Sequence, residues 1–172
     1  MEYHEILRTV RERRPLIQCI TNFVTVNDCA NILLASGASP TMAQDIREVE
    51  EAVADADGLV CNLGAIDFVD SMILAGKRAN ELGIPVVLDP VAAGGTALRR
   101  ELSKKLLEEV HFSSIRGNAS EIRALAGQMS RGSGVDVCTS DAMTEENLAQ
   151  SMALVRQLAQ DLHSVKIGRA HV

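Results

Sequence analysis

Along the chain, short apolar runs alternate with longer stretches in which apolar residues recur every three or four positions. The stretch 2–14 has the longer period and predicts a helix. Pro15 then opens a short apolar run, 16–20, that reads as a strand. A helix is expected over 25–36, with Cys29, Ile32 and Leu33 on one face and Gly37 where a left-handed cap is wanted. Residues 37–42 read as a small-residue turn leading to Met42, and Asp45 is placed to cap a further helix through 54. The run 58–63 reads as a buried strand. Phe68, Met72, Ala75, Ala79 and Leu82 form a helical stripe across 67–82. IPVVL at 84–88 is the strongest strand signal, β-branched and apolar on both faces. Helices over 97–110, 118–126 and 144–163, a strand at 112–115, a Gly-rich loop at 130–134 and a last strand from 164 complete the series. Such alternation predicts one α/β domain, a three-layer αβα sandwich around a mostly parallel sheet.

Composition narrows the function classes. The 172 residues are 47% hydrophobic, 23% charged and 2% aromatic, with no Trp, so the core must be built from aliphatic side chains and Met. A formal charge of −6 argues against nonspecific nucleic-acid binding. No apolar run approaches the roughly 18 residues of a membrane span, and the first residues, MEYHEILRTVRERR, lack the apolar centre of a secretory signal. The expectation is a cytoplasmic protein with no membrane or nucleic-acid partner. Cys19, Cys29, Cys61 and Cys138 show neither CxxC nor zinc spacing, and are expected to be reduced structural thiols.

In an open parallel sheet, ligands bind beyond the carboxyl ends of the strands. The residues there are Thr21 and Asn22, then Asn62 to Gly64, then Asp89 and Pro90, then Arg116 to Asn118. Asp89 stands beside a small-residue loop, PVAAGGT, whose backbone N–H groups lie open to a ligand. That placement suits metal or phosphate chemistry, although a turn-capping carboxylate would look the same. Asn118 and Glu121 have capping-box spacing, which accounts for them without a substrate. It leaves Arg116 unaccounted for, a permanent charge where a phosphate would sit beside a helix N-terminus. Glu121 is then a candidate for Mg²⁺, through water. No Ser/His/Asp order, GxGxxG or GxxxxGK[ST] loop is present.

Taken together, ITN (20–22), GASPTMA (37–43), NLG (62–64), LDPV (88–91) and IRGNASE (115–121), in this order, resemble hydroxyethylthiazole kinase, a family of the ribokinase-like superfamily. The likeness runs from about residue 14 to about residue 165. It implies ATP-dependent phosphorylation of the hydroxyethyl group of 4-methyl-5-(2-hydroxyethyl)thiazole, in thiamine biosynthesis or salvage. It also implies Mg²⁺ and a homotrimer in the full-length form. By matching position, Met42 and Asn22 would line the thiazole pocket and Arg116 would contact ATP phosphates. Glu121 and Asp89 would organise the metal, with Asp89 also near the transferring phosphate. Ala92 stands where many relatives carry Gly. Two alternatives stay open: a noncatalytic ligand-binding or assembly domain of the same fold, and another ribokinase-like kinase acting on a pyrimidine or pyridoxal precursor. GASPTMA speaks against the latter.

The resemblance further implies a later Gly-x-Gly-Cys loop that activates the substrate hydroxyl, and no such motif occurs in the 172 residues. The expectation is that 1–165 is the N-terminal portion of a kinase domain, incomplete at its C-terminal end and inactive by itself. Residues 166–172, KIGRAHV, translate the start of a widely used DNA-sequencing adapter (AAG ATC GGA AGA GCA CAC GTC). They are expected to be a non-native tail.

Overall fold

The structure is a computed structural model that describes residues 3–129 and 145–169. Its strands are β1 (Leu16–Ile20), β2 (Ser39–Thr41), β3 (Gly58–Asn62), β4 (Val86–Asp89), β5 (Ser114–Asn118) and β6 (Val165–Arg169). They form one sheet in the order β2-β1-β3-β4-β5-β6, every neighbouring pair parallel. The helices are α1 (Tyr3–Arg13), α2 (Val26–Ser36), α3 (Val49–Ala54), α4 (Val69–Leu82), α5 (Ala97–Glu109), α6 (Ala119–Met129) and α7 (Glu145–Asp161). Helix packing runs α3–α4–α5–α6–α7 in one series and α1–α2 in another. Right-handed crossovers explain the division: the path from β1 to β2 moves one way along the sheet and the later crossovers the other, which puts their helices on opposite faces. The expected three-layer α/β architecture is thus present.

Register decides which strand residues enter the core. Gln18 pairs with Leu59, Leu59 with Val86, Ile20 with Cys61, Cys61 with Leu88, and Leu88 with Ile115, so these share one face. All seven are fully buried, together with Met72, Ala75 and Ala79 of α4, Leu106 of α5, and Ile122 and Leu125 of α6. The stripe expected on 67–82 therefore faces the sheet through its middle three members, while Leu82 at its end is exposed. Gly83 closes α4, and Gly37 closes α2, each in the left-handed region at φ +70 and +99.

Several boundaries differ from the sequence reading. Residues 39–41 form an edge strand, not part of a turn; three residues including Pro40 carry too little periodicity to read, and Pro is tolerated at a sheet edge. Strand β5 runs two or three residues later than expected, so Arg116, Gly117 and Asn118 belong to it. Asp89 likewise ends β4. Asp45 does not cap α3 through its side chain; it closes a turn by accepting from Arg47 N, and α3 begins at Val49. The α2 stripe is also not buried: Ile32 is 66% exposed, and no residue of α1 or α2 falls in the core. Cys138 and the loop 130–134 lie outside the described residues.

Candidate active site

The carboxyl ends of β1 and β3 mark the point where the chain's path along the sheet reverses, and crevices of open α/β sheets form there. Asn22 leaves β1 and Asn62 ends β3, and their side chains meet at that point. Asn22 Nδ2 donates to Asn62 Oδ1 at 3.1 Å. Asn22 Oδ1 accepts from Val24 N and Thr25 N, which shapes the entry into α2, and Asn62 Oδ1 accepts from Gly64 N. Gly64 is required sterically: a Cβ there would stand 2.6 Å from Asn62 Oδ1 and 2.8 Å from Asn22 Nδ2. Met42, half-buried, follows β2 at the same edge. Beneath it, Gln18 Nε2 donates to Ala43 O at 2.5 Å and so pins the segment that carries Met42.

The strands that lead into this corner carry neutral thiols, one on each face of the sheet. Burial pushes the Cys19 thiol up to about 11, with Cys29 nearby adding to the shift. The Cys61 thiol is raised further, first by burial and then by Cys19.

Beyond β4 and β5 the chemistry changes. Asp89 Oδ2 lies 3.5 Å from Arg116 Nη1, so the two ionic candidates form one pair; Asp89 is the more sheltered, at 24% exposure against 46%. The capping box is realised. Glu121 N donates to Asn118 Oδ1 at 2.9 Å and Asn118 N donates to Glu121 Oε2 at 2.7 Å. The other oxygen, Glu121 Oε1, accepts from Ala92 N at 3.3 Å, so one buried carboxylate ties the loop after β4 to the start of α6. Gly117 allows this approach, since a Cβ there would sit 3.2 Å from Glu121 Oε2 and from Pro90.

Sequence reasoning missed a residue here. Arg99, in the first turn of α5, donates from Nη1 to Leu63 O at 3.0 Å and to Val91 O at 3.1 Å. Arg100 donates to Gly94 O at 2.9 Å. A signal existed: cations are disfavoured at a helix N-terminus, yet this helix, capped by Thr96, places two arginines there and no acid.

Whether these residues suit a magnesium ion depends on their spare acceptors. Each Glu121 oxygen accepts one N–H in the bonds named here, and a carboxylate has about four acceptor sites, so the group retains capacity. Among the described residues no three of His, Cys, Asp and Glu gather closely enough to hold a metal. The site therefore fits only a largely hydrated ion that takes its remaining ligands from water and phosphate, which is how Mg²⁺ usually binds.

The parallel α/β sheet with flanking helices is a fold of the ribokinase-like class, and the strand ends at its reversal point are its candidate site. Comparison with known proteins is more specific. The profile of the hydroxyethylthiazole kinase family matches residues 7–168, and the chain belongs to that family. It is 49% identical over 167 residues to a hydroxyethylthiazole kinase of Desulfovibrio desulfuricans, covering 96% of this chain and 59% of the relative. It is also 49% identical over 166 residues to one of Clostridium tetani, covering 95% of this chain and 59% of that relative. The solved structure of the hydroxyethylthiazole kinase protein from Pyrococcus horikoshii superposes with a TM-score of 0.82 at 39% identity, over 96% of this chain and 59% of that one. The chain thus spans about three fifths of the length of these relatives.

Proposed function

We propose that this chain forms the substrate-binding part of an enzyme that transfers the γ-phosphoryl group of ATP to the hydroxyethyl group of 4-methyl-5-(2-hydroxyethyl)thiazole, in thiamine biosynthesis or salvage. The observation that carries this reading is the juxtaposition, at the carboxyl ends of neighbouring strands, of neutral ties at β1 and β3 with ionic ones at β4 and β5. The thiazole alcohol takes the crevice between Met42 and Asn22, where an uncharged ring meets no buried charge. ATP lies along the rim with Arg116 on its phosphates, a planar donor that exchanges Asp89 for a phosphate oxygen. Asp89 stays beside the transferring group. The alcohol oxygen bonds to the γ-phosphorus, the bond from that phosphorus to the β–γ bridging oxygen breaks to release ADP, and the hydroxyl proton passes to water. Phosphoryl transfer asks the protein mainly for positioning and charge neutralisation. When bound, Mg²⁺ would supply neutralisation of the phosphates, with Glu121 and Asp89 holding its water shell.

In the full-length form we propose a homotrimer. Phe23 and Val24, which follow Asn22 in the chain, are exposed, an apolar pair suited to a second copy; Phe23 is 91% exposed. The cytoplasm fits the free Cys19 and Cys61 thiols. Residues 166–172 remain our candidate for foreign sequence. That 166–169 complete a ladder with β5 does not bear on their origin, because a ladder uses backbone groups. Genomic sequence beyond codon 165 decides it.

The test is an assay of hydroxyethylthiazole with Mg-ATP, read by mass spectrometry of the phosphorylated thiazole. The 172 residues alone are expected to give none. The same chain extended with the segment that the Desulfovibrio relative carries beyond the match is expected to turn over. In that extended chain, Arg116→Ala should raise the KM for ATP at least tenfold. An extended chain that folds and sediments as a trimer yet forms no product would overturn the reading.

A further inference from the structure

We propose that Arg99 is the positioning residue that sets the spacing between the two halves of the site. Its Nη1 spends both hydrogens on carbonyls from different loops: Leu63 O, just past β3 in the neutral corner, and Val91 O, just past β4 in the ionic one. Those loops also meet through the backbone, where Leu63 N donates to Asp89 O at 2.9 Å. That bond lies at the strand ends; Arg99 reaches two residues further along the β4 loop. Its neighbour Arg100 holds Gly94 O, and Glu121 holds Ala92 N from the other side. The loop 90–95 is gripped by opposite charges, each on the backbone group of matching polarity.

The position argues that this is a built feature. Two cations in the first turn of α5 oppose the helix dipole, and such an arrangement persists only where the guanidinium groups find better acceptors elsewhere. A point charge cannot replace Arg99 without loss, because two carbonyls fixed by separate strands need two donors in fixed directions. Leu63 itself is fully buried, so its carbonyl cannot follow a shifted partner. A guanidinium that fixes both loops would hold acceptor and phosphate at one separation, on which transfer depends steeply.

The catalytic consequence rests on the kinase reading, whereas the positioning itself does not, and the experiment separates the two. Hydrogen exchange is measured on the ligand-free 172-residue chain as wild type, Arg99→Ala and Arg99→Lys. In Arg99→Ala, amides of 63–65 and 91–95 are expected to exchange about tenfold faster, with β3, β4 and the interior of α5 unchanged. Arg99→Lys is expected to recover part of that protection. Unchanged loops, an even rise across the whole domain, or a lysine variant no better than alanine would each overturn the proposal. In the extended chain, Arg99→Ala should lower kcat at least tenfold while the KM for ATP changes less than threefold. The reverse split would make Arg99 a nucleotide contact and overturn it. Absence of any turnover in the wild-type extended chain would strike the kinase reading and leave Arg99 to be judged on exchange.

Discussion

The two halves of the site edge are held by different chemistry. After β1 and β3 the ties are neutral apart from Arg99 on Leu63 O: Asn22 to Asn62, their oxygens to backbone N–H groups, and un-ionised thiols in the strands that lead there. After β4 and β5 the ties are charged: Glu121 on Ala92 and Asn118, Arg99 and Arg100 on loop carbonyls, Arg116 on Asp89. A neutral corner can receive an uncharged alcohol without stranding a charge. A corner of fixed charges is arranged before the phosphate arrives, so little reorganisation remains for the reaction. The division of labour follows the topology, because the reversal point makes the crevice while the next two strands only line its rim.

The largest effect expected is at Glu121. Glu121→Ala leaves Asn118 N and Ala92 N without their acceptor at a site only 7% exposed, and should cost about 3 kcal/mol in urea unfolding. Glu121→Gln keeps the cap on Asn118 but turns an N–H₂ toward Ala92 N, so about half of that loss is expected. Equal stability of all three proteins would mean that the charged half is not held by charge. On the neutral side, Gly64→Ala drives a methyl between Asn22 and Asn62 and should cost roughly 2 kcal/mol. Asn22→Ala should come close to the same value, since it removes the same tie and two bonds at the start of α2. If Gly64→Ala is neutral, the two asparagines do not define that corner.

What could be read from the sequence follows from distance along the chain. Asn118 and Glu121 are three residues apart, and the capping box they predict is the one observed. Asp89 and Arg116 were legible as charges following apolar runs, although β5 continues past Arg116 to Asn118. Their pairing was not legible, because it depends on β4 and β5 being neighbours. Arg99 was missed for the same reason: its acceptors are 36 and 8 residues away, on two loops. Edge strand β2 was hidden by its length and by Pro40. The α2 stripe misled, since helical periodicity reports an apolar face without saying whether this chain or another covers it.

A smaller effect tests the neutral thiols. Below the ordinary thiol range, Cys19 and Cys61 are neutral in both folded and unfolded chains and add no pH dependence. Above pH about 9, the unfolded chain ionises while the folded one holds Cys19 protonated to about 11 and Cys61 beyond it. The folded state then binds more protons, so stability falls with rising pH, by up to about 1.4 kcal/mol per unit for each thiol. Urea unfolding under reducing conditions at pH 8 and 9 should show a loss of about 1 kcal/mol for the two thiols together, and Cys61→Ala should remove about half of it. An unaltered slope in that variant would mean that Cys61 is not a sealed thiol in solution.

The smallest effect bears on how firmly the charged half grips its loop. Ala92 sits in the left-handed region at φ +56, where a β-carbon costs about 1 kcal/mol. Ala92→Gly removes that strain but adds freedom to the unfolded chain, so the net gain should be about 0.5 kcal/mol, or roughly 1–2 °C in Tm. Ala92→Val should lose at least as much as glycine gains. The informative measurement is the double variant with Glu121→Ala. If Glu121 Oε1 is what holds Ala92 N in place, the loop relaxes out of the strained turn once the carboxylate is gone, and glycine then gains nothing. An undiminished gain would show that the turn is set by its own bonds, Ala93 N to Pro90 O and Gly95 N to Ala92 O. The charged side chains would then follow the loop's shape instead of imposing it, and the contrast between the two halves would reduce to which residues happen to face a turn already formed.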